Sequence, residues 1–161
     1  LAVRRSAWNR RRMNATANLD DALATCGAYR LVEEVVAESA EALTTRSRLS
    51  PDAAFHRTDG AGRALLVPGT ILLEHAVQSG EALIHRDRGR PDDDGVPVLA
   101  RVKRVAFRAP VPPGAVLTTE VTLTERVGPA FYVRAKGTVE GTTVLDADLV
   151  FTATKAIEIS G

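Results

Sequence analysis

The segment from Thr70 to about His85 decides most of what this chain can become. Ile71, Leu72, His75, Ser79, Ala82 and Leu83 recur there at helical spacing, behind a Pro68-Gly69 break and a Thr70 suited to cap the first turn. Leu73, Ala76, Val77 and Ile84 extend the apolar stripe over most of the circumference. A helix of that kind must be enclosed, because too much apolar surface would otherwise face water. The C-terminal third offers the enclosure. Val98 to Arg108 reads as one strand. Three more follow, with Leu117, Thr119, Val121 and Leu123, then Phe131, Val133, Ala135 and Val139, then Leu145, Ala147, Leu149, Phe151 and Ala153 on their inward faces. Each has one apolar and one polar side, the pattern of an antiparallel sheet covered on one face. Together these features predict an α+β fold in which a curved antiparallel sheet wraps a long central helix. A chain of 161 residues suffices for one such domain with a sizeable core.

Two further strands are expected at Arg30–Ala37 and Glu41–Leu49. In the second, Leu43, Thr45, Ser47 and Leu49 share a face opposite Ala42, Thr44, Arg46 and Arg48. Ser50–Gly69 reads as a loop broken by Pro51, Gly60, Gly62, Pro68 and Gly69, and Arg86–Gly95 as a charged, solvated loop. Leu19–Gly27 suits a short helix with Asn18 as its cap. Residues 1–20, with Arg4, Arg5, Arg10, Arg11 and Arg12, read as a flexible basic leader before a single domain over 21–161. No signal-peptide stretch follows those arginines. A net charge of +1 gives no general attraction to nucleic acid or anionic membrane. Cys26 is the sole cysteine, which excludes an intrachain disulfide and a thiolate zinc cluster. No apolar run approaches a membrane span. The simple reading is a cytoplasmic protein with no metal and no cofactor.

Two motifs sharpen this. Val67-Pro68-Gly69-Thr70-Ile71-Leu72-Leu73-Glu74-His75-Ala76-Val77-Gln78 resembles the M-P-G-x-L-x-x-E-x-x-x-Q helix start of FabA/FabZ-type 3-hydroxyacyl-[acyl-carrier-protein] dehydratases. Val105-Ala106-Phe107-Arg108-Ala109-Pro110-Val111-Pro112-Pro113-Gly114 is similar to that family's F-R-x-P-V-x-P-G strand and turn. The resemblance covers roughly Tyr29 to Thr154. It implies a hot-dog fold, pairing as a double hot dog with active sites at the interface. In such sites a histidine from one protomer's loop removes the C2 proton of a 3-hydroxyacyl thioester. A carboxyl group from the other protomer's helix assists departure of the hydroxyl, and the helix N-terminus polarises the thioester carbonyl. Glu74 falls on the helix carboxylate, as general acid. The bland alternative is an interface glutamate satisfied by backbone donors. Gln78 lies one turn later and could orient Glu74 or a bound acyl group. Pro68, Gly69, Thr70 and Phe107 fall where that family binds substrate.

One expected residue is missing. The family's loop reads H-F-P-G-x-P-x-x-P-G, and counting back eight residues from Pro68 lands on Gly60, or on Asp59 if one residue is inserted. Neither is histidine. His56 could serve through a rearranged loop, Asp59 could act as a replacement base, or the base could come from a related partner subunit. The last is favoured, with a heterodimer preferred to a homodimer; a chain without chemistry, or with other hot-dog chemistry, completes the alternatives. His75 follows Glu74 directly but points about 100° away around the helix, which suits a hydrogen-bonded interior residue better than the absent base.

Arg101, Lys103, Arg104 and Arg108 cluster around one strand. Their plain reading is a solvated sheet face; the resemblance implies docking of an acidic acyl carrier protein. The expected function is a dehydratase subunit in polyketide or fatty-acid-like biosynthesis. The alternatives are a hot-dog acyl-thioesterase with Glu74 as base, or a non-catalytic structural partner of an active subunit.

Overall fold

The alternation seen in the C-terminal strands becomes burial. Leu117, Val121, Phe131, Val133, Ala135, Leu145, Ala147, Leu149 and Phe151 are each at most 2% exposed, and all lie on one side of a single sheet. The computed structural model describes residues 29–52, 56–88 and 95–155. In chain order its elements are β1 (Glu34–Glu38), β2 (Ala42–Arg48), β3 (Arg57–Thr58), β4 (Ala64–Leu66), α1 (Gly69–Arg88), β5 (Gly95–Phe107), β6 (Val116–Val127), β7 (Ala130–Val139) and β8 (Thr142–Lys155). Six strands form one sheet in the order β1-β2-β6-β7-β8-β5, with every neighbouring pair antiparallel. The helix lies against β2, β5, β6, β7 and β8, which a flat sheet could not achieve. Every residue from His75 to Ile84 is buried, as the apolar circumference demanded. This is the hot-dog fold.

Several boundaries differ from expectation. The Ser50–Gly69 stretch is not a plain loop, because β3 and β4 form a small separate hairpin within it. The helix runs on to Arg88, past the charged segment expected to end it at Arg86. β1 starts at Glu34 rather than Arg30, because the backbone before it is bonded to side chains of α1 and β2 instead of a strand. The expected basic leader, the Leu19–Gly27 helix and Cys26 lie outside the described residues.

β5 is the strand where simple alternation misleads. Its register with β8 shifts between Leu99 and Arg101 and again between Val102 and Arg104. Each bulge inserts one residue and restores the inward face, so Leu99, Val102, Val105 and Phe107 pair with the inward Phe151, Leu149, Ala147 and Leu145. The outward face receives Arg101 and Arg104. β5 is also an outer edge of the sheet.

Candidate active site

The mouth of the site is built where β4, α1 and β5 meet. Val67 N–H donates to the Val111 carbonyl at 2.9 Å, which pins the end of the hairpin beside the turn that follows β5. Pro68 then starts the helix, its carbonyl accepting the Ile71 amide at 3.0 Å. Gly69 is required by a close approach: a Cβ there would sit 2.9 Å from Cε1 of Phe107. The Phe107 ring therefore lies directly on the first residue of the helix, and it remains 49% exposed. Pro68, Gly69, Thr70 and Phe107 are thus brought together at the start of the helix. Leu65, Leu66 and Val105 are exposed in the same part of the fold, on β4 and on the end of β5.

Glu74 stands in the second turn of α1, half-buried. Its Oε1 accepts a hydrogen from Gln78 Nε2 at 3.0 Å. Among the described residues its other oxygen accepts no hydrogen bond. Gln78 is wholly buried, and its amide is saturated. Nε2 also donates to the Tyr29 carbonyl at 3.0 Å, while Oε1 accepts from the amides of Leu31 at 2.8 Å and Val32 at 3.3 Å. With both hydrogens and both lone pairs engaged, Gln78 has nothing left for an acyl group. Of its two expected roles, the geometry supports orienting Glu74.

His75 points into the core, away from Glu74. Nε2 lies 2.8 Å from Ser47 Oγ and Nδ1 lies 2.9 Å from Thr119 Oγ1, so both ring nitrogens are satisfied whichever tautomer is present. Burial pushes the imidazole down to about 4, because a charged ring would have to give up water for an apolar interior. Ser79 Oγ donates to the His75 carbonyl at 2.7 Å and lies 2.7 Å from Thr45 Oγ1. The sequence signal for this cluster is two sets of polar residues at inward positions: Thr45, Ser47 and Thr119 on strands, His75 and Ser79 on the helix. The strand faces were identified from the sequence, but the meeting of the two sets was not.

The two replacement bases stand elsewhere. His56 is 8% exposed just before β3, with Nε2 donating to the Ser50 carbonyl at 2.6 Å. Asp59 caps the β3–β4 hairpin. One oxygen accepts the amides of Ala61 and Arg63, both at 2.9 Å, and the other accepts Arg63 Nε at 2.8 Å. The Arg63 backbone N–H, with lesser help from the Arg63 side chain and the Ala61 amide, holds the carboxyl below its usual range. That makes Asp59 a weaker base than an ordinary aspartate. Among the described residues no three His, Cys, Asp or Glu side chains converge to hold a metal ion.

The basic cluster forms on the convex face of the sheet, opposite the helix. Arg104 Nε lies 2.9 Å from Asp148, which Arg134 also reaches at 3.3 Å, and Arg108 Nε lies 2.9 Å from Asp146. Lys103 Nζ sits 5.4 Å from the centre of the Tyr132 ring. Its cations are thus partly neutralised, and they do not surround Glu74.

No protein-family model matches the sequence. Several curated relatives do. The FabZ 3-hydroxyacyl-[acyl-carrier-protein] dehydratase of Janthinobacterium sp. is 30% identical over 88 residues, 54% of this chain and 56% of that protein. The FabZ of Clostridium acetobutylicum is 31% identical over 53% of this chain and 60% of its own length. The FabZ of Syntrophobacter fumaroxidans is 26% identical over 77% of this chain and 83% of its own. The first two matches therefore span little more than half of each relative. Among solved structures, the dehydratase heterocomplex ApeI:P from Xenorhabdus doucetiae superposes with a TM-score of 0.70 at 17% identity, covering 85% of this chain and 91% of that one. A hypothetical thioesterase with coenzyme A from Streptococcus pneumoniae gives 0.54 at 13% identity, over 76% and 85%. These structures share the hot-dog fold with this chain, and its sequence is repeatedly similar to FabZ dehydratases at 26–31% identity.

Proposed function

We propose that this chain is one subunit of a 3-hydroxyacyl-thioester dehydratase, in which Glu74 is the acid and a second hot-dog chain supplies the base. The observation that carries this reading is the state of Glu74: a half-buried carboxylate near the helix start, one oxygen held by the saturated Gln78 and the other open. In the reaction, a base takes the C2 proton, the C3–O bond breaks, and Glu74 delivers the proton with which the hydroxyl leaves as water. Helix amides near Gly69 and Thr70 stabilise negative charge on the thioester oxygen. Phe107 and the exposed leucines of β4 give the acyl portion an apolar approach.

Three observations support a borrowed base. His75 is turned into the core and bonded on both nitrogens. Asp59 is held as a weak base at a hairpin tip. Finally, among the described residues β5 is an edge of the sheet, with Val105 at 38% and Phe107 at 49% exposed on its inner face, and Leu65 and Leu66 of β4 are 51% and 42% exposed. A sheet edge with exposed apolar side chains suits a second hot-dog domain. The relatives' substrate class, an acyl group on a carrier protein, is carried over with the same reading, within a polyketide or fatty-acid-like pathway. The convex basic strip is a candidate for recognising the acidic carrier; reversing Arg101 and Lys103 to glutamate tests it through KM.

The experiment combines this chain with a histidine-bearing FabZ-type subunit that forms a complex with it. Dehydration of a 3-hydroxyacyl-carrier substrate is followed for the chain alone, the complex, and a Glu74→Gln complex. The expected result is no turnover alone, turnover in the complex, and a loss of about a hundredfold or more with Glu74→Gln. Turnover undiminished by Glu74→Gln contradicts the reading. Release of free thiol by the chain alone, abolished by Glu74→Gln, would instead establish a thioesterase.

A further inference from the structure

We infer that the backbone leading into β1, Tyr29–Glu33, is a positioning element for Glu74, an inference that rests on Glu74 being the acid. Three of the four bonds made by the Gln78 amide go to this short segment, and the fourth goes to Glu74. The amide orientation is dictated by the segment, since a flip would set the NH2 group against the two backbone amides of Leu31 and Val32. Gln78 therefore presents a hydrogen to Glu74 only while the segment stays in place.

A second stitch lies one residue further on. The Glu33 amide donates to Ser47 Oγ at 3.0 Å, and that hydroxyl holds Nε2 of His75. Two consecutive helix residues, Glu74 and His75, are thus linked through Gln78 and Ser47 to consecutive groups of one strip of backbone. Arg30 Nε closes the strip on itself by donating to the Val32 carbonyl at 3.1 Å. Val32 and Gln78 are fully buried and Ser47 is 2% exposed, so a broken bond there leaves a buried polar group without its partner, and the connections reinforce one another. The segment is not part of the β ladder, which begins at Glu34. Val32 packs into the core and Glu33 Oε2 accepts the Arg48 amide at 3.1 Å, but the amides of Leu31, Val32 and Glu33 bond to these side chains rather than to a neighbouring strand, so a displacement there reaches the carboxylate through Gln78. A misplacement of about 1 Å costs a catalytic group roughly a hundredfold in rate.

The test uses the complex described above with three variants. Gln78→Glu retains length and the acceptor for Leu31 and Val32 but cannot offer Glu74 the same hydrogen. Ser47→Ala removes the other stitch and touches neither Glu74 nor Gln78; Ser47→Thr restores the hydroxyl. We expect Gln78→Glu to lower kcat about tenfold or more with KM within about twofold. Ser47→Ala should lower kcat several-fold and speed amide exchange at Leu31–Glu33, and Ser47→Thr should recover both. In the free chain, Glu74→Ala should speed exchange at Leu31 and Val32 while the β6–β7 ladder stays protected. The positioning role is overturned if Ser47→Ala loosens the segment yet kcat is unchanged, or if Glu74→Ala leaves exchange there unaltered. If Glu74→Gln is itself fully active, the dehydratase reading fails instead, and the exchange measurement still decides the coupling.

Discussion

At Gly80, in the middle of α1, a Cβ would lie 2.6 Å from Cζ and 2.8 Å from Cε2 of Phe151, a ring with no exposure to solvent. Helix propensity alone favours alanine there by about 1 kcal/mol. Forcing a methyl into a filled core typically costs ~1–3 kcal/mol, and this ring is held among β7 and β8 residues with nowhere to swing. Steric cost should win: Gly80→Ala is expected to destabilise by roughly 1 kcal/mol net, read as a lower Tm. His75 gives a prediction in pH. Its folded value, about 4, is below the ordinary 6.5, so between those values the unfolded chain binds the extra proton. Stability therefore rises with pH through that window, is complete above about 6.5, and falls on acidification by up to roughly 3 kcal/mol. Denaturant titrations at pH 7 and pH 4.5 measure it, and His75→Gln should flatten the difference. The sequence placed His75 inside and bonded; its partners were hidden because Ser47 and Thr119 are 72 residues apart and meet only when β2 pairs with β6.

At the scale of elements, the β7–β8 hairpin shows a local choice against the grain. Glu140 has φ of 48° and Gly141 has φ of 79°, the two positive values of a type I′ turn. Glycine accepts that geometry, whereas a glutamate pays for its Cβ. Glu140→Asn should stabilise by roughly 0.5–1 kcal/mol, measured by denaturant midpoint, with an unchanged fold. The helix and the last three strands were legible because each carries its period over ten or more residues. The β3–β4 hairpin was not, since strands of two and three residues hold no period and the glycines around them read as loop. β5 was legible as a strand, with Val105 and Phe107 on the face opposite Arg104, but not along its earlier part, because its two bulges shift the alternation twice. The β1 boundary was missed for another reason: its first residues satisfy their backbone groups on Gln78 and Ser47, a tertiary arrangement with no local signature.

At the scale of the described molecule, one curved sheet encloses the helix from His75 to Ile84, and Glu74 stands just before that enclosed stretch. Its convex face carries cross-strand ion pairs such as Arg104–Asp148 and Arg108–Asp146. Both are solvent-exposed, so they contribute little to stability. The charge on Asp148, held below its usual range chiefly by the Arg104 side chain, is better seen as moderating a basic surface. The concave side carries the Glu74 carboxylate, the start of α1 and the exposed Phe107 ring, and among the described residues β5 ends the sheet. The fold was legible in the sequence because burial and periodicity suffice to specify it. The site was legible only in part, because the motif names the carboxylate but neither His75, bonded in the core, nor Asp59, capping a hairpin, stands as its base.

Assembly is therefore where the account is tested most directly. A FabZ-type partner whose own helix carboxylate is changed to alanine, but whose loop histidine is kept, should be inactive by itself. Added to this chain in a complex confirmed by size, it should regain dehydration of a 3-hydroxyacyl-carrier substrate if the proposed pairing of Glu74 with the partner's histidine holds. The gain should vanish with Glu74→Ala. A complex that forms yet shows no regained turnover, or one whose turnover survives Glu74→Ala, contradicts the claim that Glu74 is half of a divided active site.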